Sequence, residues 1–195
     1  MKSLQTLLER PKNIRVLGLD DAPFDHERGT PVHFAGIVCE TTRMEGMLWG
    51  EITKDGSDAT EVLIQTVKQS KFYDQIHVVL TDGIAMGGFN VVDLPRLNRE
   101  LGRPCIAVMR KQPDFDRIFQ ALAHFEDGDT RRETILAAGR VHHQDPFFFQ
   151  VQGCDSAVAG KVLQRLTDTG KVPEALRLAH LIGGAVKTGE SGKRA

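Results

Sequence analysis

Two aspartates each close a short apolar run and are each followed at once by turn-forming residues. The runs cover residues 14–20 and 76–82, and they end on Asp20 and Asp82. If the runs are neighbouring strands of one sheet, the two carboxylates converge at its edge. Hard divalent cations take oxygen ligands, and phosphoryl chemistry needs its charge neutralised. The pair therefore predicts a metal site that acts on a phosphate, although either aspartate alone is better explained as a turn cap.

A third candidate ligand lies near the carboxyl end of the chain. His180 belongs to a helical pattern over residues 173–187, but it lies well round the cylinder from the apolar stripe of that helix. Gly183 and Gly184 each cost about 1 kcal/mol relative to alanine in a helix, so we expect close packing against another element there. The alternative interpretation of His180 is a hydrogen-bonded surface histidine.

Other acidic residues near the strand ends have both structural and chemical interpretations. Asp58 followed by Glu61 fits a capping box that begins a helix, and Asp58 is also a candidate metal ligand. Asp21 either supports the metal ligands through hydrogen bonds or only begins the Asp-Ala-Pro turn.

A glycine-rich loop follows Asp82 directly and covers residues 83–90. It contains no lysine, so it is not a phosphate-binding P-loop. We expect the backbone amides of Gly83, Gly87 and Gly88 to hold a phosphate or a base, and Phe89 to stack on a base. The alternative is that the glycines only permit a tight path and that Phe89 is buried.

The pattern of strands and helices predicts how these residues are positioned. A short connection between the second and third strands favours a hairpin, and right-handed crossovers place the fourth strand beside the first. The prediction is an α/β fold with a mixed five-stranded sheet of order 3-2-1-4-5, flanked by helices and extended by further helices at the carboxyl end. This is the ribonuclease H-like arrangement. Residues 141–151 are either a strand or a lid. The predicted strands cover residues 14–20, 32–39, 44–52, 76–81 and 105–109.

Composition limits the class of protein. With 195 residues and 41% hydrophobic content, the chain fits one domain over residues 1–195, and residues 188–195 are expected to form a flexible tail. A net charge of -1 excludes a strongly basic protein, so DNA binding needs a local basic patch. The three cysteines are widely spaced, which predicts free thiols. No signal or membrane-spanning run is present, so we expect a soluble, cytoplasmic protein.

Four segments of the chain resemble a known family. They cover residues 15–24, 55–61, 81–93 and 173–180, and the resemblance spans nearly the whole chain. The family is catalogued as domain of unknown function ninety-nine. It is similar in turn to endonuclease V, a metal-dependent repair nuclease with a ribonuclease H-like fold that nicks DNA near deaminated bases. Some members have been called endonuclease dU, which implies deoxyuridine as the lesion.

The resemblance assigns site residues position by position. Asp20 matches the aspartate on the first strand of endonuclease V, and Asp82 with Gly83 matches its central Asp-Gly pair. His180 stands where endonuclease V commonly has aspartate, which implies an Asp, Asp, His constellation. A comparable set occurs in the nuclease half of the excision-repair incision protein. The glutamate that endonuclease V places after its third strand has three candidate positions here: Glu51, Asp58 and Glu61.

Basic residues that contact the substrate are also implied by the resemblance. Endonuclease V has a lysine after its fifth strand that approaches the phosphate, and Arg110 and Lys111 hold that position in this chain, with Arg110 favoured. Arg177 is a further candidate because it lies beside His180.

The resemblance implies a Mg²⁺-dependent endonuclease, with Mn²⁺ as a second candidate ion, that nicks DNA at or near a deaminated base during DNA repair. Deoxyuridine is the first expected lesion and deoxyinosine the second. Two alternatives stay open. One is a non-catalytic nucleic-acid-binding protein that retains the fold, and the other is a ribonuclease or phosphoesterase that uses the same metal site.

Overall fold

A twisted central sheet carries helices on both of its faces in the computed structural model, which describes residues 3–9, 13–25 and 27–192. Among these residues, the helices are α1 (Leu4–Leu8), α2 (Ala59–Lys68), α3 (Leu94–Leu101), α4 (Phe115–Leu122), α5 (Gly128–Ala137), α6 (Ser156–Arg165) and α7 (Glu174–Thr188). The strands are β1 (Arg15–Asp21), β2 (Pro31–Glu40), β3 (Arg43–Thr53), β4 (Val78–Asp82), β5 (Ala85–Met86), β6 (Asn90–Val91), β7 (Cys105–Met109), β8 (His142–Gln144) and β9 (Phe147–Gln152).

The order of the strands places the amino-terminal hairpin beside two parallel strands. The sheet runs β3-β2-β1-β4-β7-β9-β8, and its first five positions have the predicted order. Strand β1 pairs antiparallel with β2 and parallel with β4, and β4 pairs parallel with β7. The predicted ribonuclease H-like topology is therefore confirmed, with the carboxyl ends of β1, β4 and β7 at one edge of the sheet.

The predicted number of strands in this sheet was too small. Strand β9 pairs antiparallel with β7, and β8 pairs with β9, so among the described residues the sheet has seven strands rather than five. The reason lies in the alternation of β9, where Phe147 and Phe149 are buried and Phe148 between them is only half-buried. Residues 141–151 thus contribute strands, not a lid. Strands β5 and β6 form a separate small ribbon within the glycine-rich loop.

Alternation along β1 divides its side chains between two hydrophobic cores. Leu17 and Leu19 pack with α2 and α3, whereas Val16 packs with α6 and α7 on the opposite face. Asp20 is four residues after Val16 on the same strand, so its side chain lies on the same face, which α7 covers.

Helix α7 approaches β1 unusually closely. A Cβ atom added to Gly18 would lie 2.7 Å from the carbonyl carbon of Ala175, and one added to Gly183 would lie 3.1 Å from the Cα of Ala22. The close packing expected at Gly183 is therefore present. Gly184 differs, because the nearest atom to its added Cβ is 3.6 Å away. The two close approaches bring the middle of α7 against the end of β1.

The beginning of α2 is correctly predicted, but the capping box is wrong. The Asp58 carboxylate accepts hydrogen bonds from the backbone N–H (3.1 Å) and the Oγ1 hydroxyl (2.8 Å) of Thr53 instead of from its own helix. The Ala59 N–H donates to Oδ1 of Asn90 at 2.9 Å. Because Asn90 supplies the cap from 31 residues further along the chain, the local motif does not form. Glu61 turns outward instead.

The three cysteines are free, with Cys39 and Cys105 buried and Cys154 half-buried. Across the described ranges, no helix has both the length and the apolar character needed to cross a membrane. Thr188 ends α7, and residues 193–195 of the predicted tail lie outside the described residues.

Candidate active site

The carboxyl ends of β1 and β4 bring two aspartates side by side. Leu19 pairs with Thr81 in the parallel register, and Asp20 and Asp82 are the next residue of each strand. Side chains at equivalent positions of paired strands share one face. Asp20 is buried, with 5% of its surface exposed, and Asp82 is half-buried. The structure thus places the two carboxylates together, as the sequence predicts.

The third predicted residue reaches the same place from α7. The Nδ1 atom of His180 lies 3.1 Å from Oδ2 of Asp20, within hydrogen-bonding distance. Because Nδ1 is engaged by Asp20, Nε2 is the ring nitrogen left for another partner. The side chain of His180 is 34% exposed, whereas that of Asp20 is only 7% exposed. His180 therefore connects a buried carboxyl to the surface of the site.

The electrostatics of this cluster are unfavourable for another negative charge. Burial raises the pKa of Asp20 to about 8, and the nearby charges of Asp82 and Asp21 add to the effect, while Arg110 opposes it. Burial also raises the pKa of Asp21. Three acids crowded at one edge of a sheet disfavour full ionisation unless positive charge is added. Such perturbed acids in a cleft are typical of functional sites.

One cation of the chain already contacts the cluster. Nη2 of Arg110 lies 3.2 Å from Oδ2 of Asp82, and Arg110 follows directly after β7. Its side chain is 45% exposed, so the ion pair lies at the mouth of the site rather than within the core. Arg110 is thus the predicted basic residue that the structure places nearest to the two aspartates.

The donor chemistry of the cluster fits Mg²⁺ or Mn²⁺, which take carboxylate oxygens, with imidazole accepted by the softer Mn²⁺. Nevertheless, within the part of the chain that is described, no three His, Cys, Asp or Glu side chains are preassembled around one point. Asp20 is bonded to His180, and Asp82 is paired with Arg110. Because each contact uses one oxygen of its carboxylate, a cation that binds here either shares the carboxylates with His180 and Arg110 or displaces these two contacts.

The three candidates for a fourth acid occupy different positions. Asp58 is engaged by Thr53 and Asn90, and Glu61 by Gln65 and Arg96, and both acids belong to the face covered by α2. Glu51 lies on the same face of the sheet as Asp20. Asp20 pairs with Ala35, and Ala35 pairs with Trp49, so these three side chains share a face. Glu51 is two residues after Trp49 on the same strand and therefore shares that face too. Strand β2 lies between the strands of Glu51 and Asp20, so these two strands are about 10 Å apart. The structure brings none of the three to the cluster.

The amides of the glycine-rich loop are largely engaged within the protein. The Gly83 N–H donates to a carbonyl of β7 at 2.7 Å, and the Phe89 N–H donates to Oδ1 of Asp55 at 2.8 Å. The Gly87 N–H donates to the carboxylate of Asp21. These three amides are therefore not free to hold a phosphate. Asp21 ties the end of β1 to this loop through that hydrogen bond.

A cavity of about 550 Å³ opens directly beside Asp82. Its volume lies within the range of roughly 300–1,000 Å³ typical of small-molecule sites. Most of its wall is apolar, and Phe89 from the loop forms one side, whereas Gly88 is exposed at the loop tip. The lining residues are Asp82, Gly83, Phe89, Val108, Met109, Arg110, Lys111, Pro113, Asp114, Arg117 and Ile118.

The position of Arg177 differs from that of the other candidates. Its guanidinium is held by Glu174 through two hydrogen bonds of 2.7 and 2.6 Å within α7. The structure therefore places Arg177 with Glu174, and it does not bring this side chain into the acidic cluster.

Sequence reasoning missed the wall of the cavity after β7. Asp114 caps α4 by accepting from the Arg117 N–H at 3.1 Å, so the helix begins immediately beyond the strand end. Arg117 and Ile118 face the cavity from the first turn of that helix. Asp114, directly before Phe115, was the available signal, since aspartate is a preferred N-cap immediately before the first apolar residue of a helix.

Comparison with known proteins connects these features to a family. A family model described as Endonuclease dU matches residues 12–187. The chain is also similar to a UPF0215 protein of Methanosarcina barkeri, with 43% identity over 183 residues that cover 91% of this chain and 93% of the relative.

Solved structures show the same fold. A crystal structure of a protein of unknown function from Archaeoglobus fulgidus has a TM-score of 0.84 at 36% identity and covers 89% of this chain and 98% of its own. Endonuclease V from Bacillus subtilis has a TM-score of 0.60 at 16% identity, with 95% and 89% covered. Endonuclease V from Ciona intestinalis, solved with a 24mer DNA containing an inosine, has a TM-score of 0.54 at 16% identity, with 86% and 83% covered.

Proposed function

The chain belongs to the endonuclease dU family, and from this membership and its acidic site we propose that it is a metal-dependent endonuclease that nicks DNA at or near a deaminated base in DNA repair. Deoxyuridine is the first substrate that we propose, and deoxyinosine the second. The observation that carries the proposal is the position of Asp20, Asp82 and His180 beside a cavity large enough for a nucleobase.

The residues that would hold Mg²⁺ or Mn²⁺ are Asp20, Asp82 and His180. When bound, the ion neutralises charge on the phosphate and activates water for an in-line displacement. The raised pKa of Asp20 supports this assignment, because buried acids beside other acids are stabilised by an added cation. His180 holds the Asp20 carboxyl in place through Nδ1 and presents Nε2 to the site.

The cavity supplies a place for the lesion base. Turning a base out of the duplex costs unstacking and unpairing free energy, and this cost is smallest for a mispaired base. Because deamination creates mispaired bases, the smaller cost gives selectivity for them. Phe89, Met109 and Ile118 offer apolar surface for such a base. Because Asp82 and Gly83 also line the cavity, a base bound there lies next to the proposed cleavage site.

Basic residues at the cavity mouth fit the DNA backbone. Arg110, Lys111 and Arg117 all line the cavity, which provides the local positive patch that the net charge of -1 requires. Charge-assisted hydrogen bonds from guanidinium groups to phosphate are strong and directional. We therefore assign these residues to the phosphates that flank the lesion.

A cleavage panel tests the proposed function. End-labelled DNA duplexes with one uracil, one hypoxanthine or no lesion, a matched RNA duplex and a mononucleotide are incubated with the protein in Mg²⁺, Mn²⁺ or EDTA. We expect nicking of the uracil duplex with either metal and none in EDTA. Preferential cleavage of RNA or of the mononucleotide would instead support the ribonuclease or phosphoesterase alternative.

One observation favours a second candidate, a non-catalytic nucleic-acid-binding protein. Arg110 already pairs with Asp82, and Glu51, Asp58 and Glu61 all lie away from the cluster. This candidate predicts no cleavage of any substrate in the panel. It also predicts that Mg²⁺ and Mn²⁺ leave the melting temperature unchanged, whereas a metal site raises it as the ion binds the folded state.

A further inference from the structure

A buried arginine from outside the acidic site holds the glycine-rich loop. Arg131 in α5 is 8% exposed, and its guanidinium donates from Nη1 to the carbonyl of Phe89 (2.7 Å) and from Nη2 to the carbonyl of Asp55 (2.9 Å). Its Nε donates to Asp127 at 2.7 Å. A buried charge is costly unless it is paired and hydrogen-bonded, and here each side of the guanidinium has a partner. The carbonyl of Phe89 is thereby fixed.

Asp55 holds the same segment from the opposite side. Its Oδ1 accepts from the Phe89 N–H at 2.8 Å, and its own N–H donates to the Gly87 carbonyl at 2.8 Å. A Cβ atom added to Gly88 would collide with that Oδ1. Asp55 therefore contacts the loop through its backbone at Gly87 and through its carboxylate at Gly88 and Phe89. Lys54 forms a 2.7 Å ion pair with Asp55, and each of the two side chains is only 10% exposed.

An aromatic contact fixes the side chain of Phe89. Its ring meets the edge of Phe125, with centroids 5.5 Å apart. Two guanidinium groups lie in turn over the Phe125 ring, with Arg28 at 3.8 Å and Arg131 at 4.4 Å from its centroid. Cations over an aromatic face are attracted by its quadrupole, so both arginines stabilise the position of the ring. Both the backbone and the ring of Phe89 are thus positioned by residues that do not line the 550 Å³ cavity.

We propose that Arg131, Asp55 and Phe125 form a clamp of positioning residues that sets the width of the cavity and so determines which base is accepted. The inference rests on the proposed function, because it assigns the cavity to the lesion base. The clamp acts through Phe89. Its three members lie apart from Asp20, Asp82 and His180, so their loss alters discrimination between bases without removing a proposed metal ligand.

Arg131→Lys tests the clamp most sharply. Lysine keeps the charge, but its ammonium group cannot reproduce the planar fork that donates to two carbonyls. Arg103→Lys is a matched control. Arg103 also donates to two backbone carbonyls, of Ile76 at 2.7 Å and of Gly102 at 3.0 Å, and it stacks over Tyr73 at 5.1 Å. Arg103 lies shortly before the first residue of β7, at the opposite end of that strand from Arg110 and the candidate site.

Two readouts are measured on both variants. The first is the ratio of kcat/KM for uracil and hypoxanthine duplexes, and we expect Arg131→Lys to change it by about tenfold, the effect of one hydrogen bond to a charged group. The second is amide hydrogen exchange over residues 83–90, which we expect to accelerate by a similar factor. Arg103→Lys should change neither, and Mg²⁺-dependent stabilisation should be equal in both variants and the wild type.

The two readouts separate failure of the clamp from failure of the proposed function. If the wild type cleaves no duplex, the proposed function fails, and unchanged exchange over residues 83–90 in Arg131→Lys would additionally overturn the clamp. If the wild type is active, an unchanged substrate ratio in Arg131→Lys overturns the assignment of base discrimination. An equal change in Arg103→Lys does the same, because a general loss of stability then explains the effect.

Discussion

Nδ1 of His180 lies 3.1 Å from Oδ2 of Asp20, although 160 positions separate the two residues in the chain. The contact depends on the close approach of α7 to β1, which Gly18 and Gly183 permit. It joins the two ends of the domain at the edge where Asp82 also lies. The predictions that follow test the packing that makes this contact, the charge at the site, and the cavity beside it.

Substitution of Gly18 should separate α7 from β1. In Gly18→Ala the added Cβ would lie 2.7 Å from the backbone of Ala175, which cannot move aside without shifting the helix. Overpacking of this kind costs about 1–3 kcal/mol in the free energy of unfolding, which urea titration measures. Gly184→Ala is the control, because its nearest neighbour is 3.6 Å away and alanine is favoured in a helix. Equal stability of the two variants would contradict the proposed role of close packing.

The stability of the metal-free protein should fall as the pH rises. Burial, with the charges of Asp82 and Asp21, raises the pKa of Asp20 from 3.8 to about 8. Between these values the folded protein retains a proton that the unfolded chain has lost, so the free energy of unfolding decreases with pH. Urea unfolding in EDTA from about pH 5 to about pH 8 measures this slope. Asp20→Asn should flatten it and be the more stable protein at the upper end. Identical slopes would show that Asp20 does not carry the effect.

Arg110 should contribute to DNA affinity through charge. It lines the cavity and lies at the end of β7, where a phosphate can replace Asp82 as its partner. Arg110→Ala should weaken binding to every duplex and reduce the slope of log Kd against log salt by about 1. Fluorescence anisotropy at several salt concentrations measures both quantities. Arg99→Ala, in the last turn of α3, should leave the slope unchanged. If the slope of log Kd against log salt in Arg110→Ala equals that of the wild type, Arg110 does not contact a phosphate.

Phe89 should contribute to recognition of the base by stacking. Phe89→Leu keeps apolar surface in the cavity but removes the aromatic face, which is worth about 1–3 kcal/mol per stacked base. We expect weaker binding of the uracil duplex and little change for the undamaged duplex. Phe119→Leu removes a ring from α4 that stacks on Phe115 and does not line this cavity, so it is the matched control. Equal losses in the two variants would argue against stacking by Phe89.

Much of the site was predictable because its strand-end residues are specified locally. The apolar runs that end on Asp20 and Asp82 identify strands, and their order follows from connection lengths and crossover handedness. The helix of His180 was also predictable from its periodicity, and its close packing from Gly183. These features depend on neighbouring residues, which a single sequence displays.

The remaining features depend on contacts that are distant in sequence. Asn90 caps α2 across 31 residues and so displaces the local capping box. Arg131 reaches the carbonyl of Phe89 across 42 residues, and nothing in its helical pattern distinguishes it from a surface arginine. Strands β8 and β9 are short, and they belong to the sheet because β9 pairs with β7 and β8 pairs with β9. No local pattern predicts such partners.

Asp82 provides the most direct test of the metal-dependent nuclease. Single-turnover cleavage of an end-labelled duplex with one uracil is measured in Mg²⁺ for the wild type, Asp82→Asn and the control Asp74→Asn. Asp74 is an exposed acid that precedes β4, at the opposite end of that strand from Asp82. We predict that Asp82→Asn cleaves at least about 100-fold more slowly than the wild type. Loss of a residue that only supports a metal ligand already costs up to about 100-fold, and Asp82 is a proposed ligand itself. Asp74→Asn should match the wild type, and equal cleavage by Asp82→Asn would contradict the account.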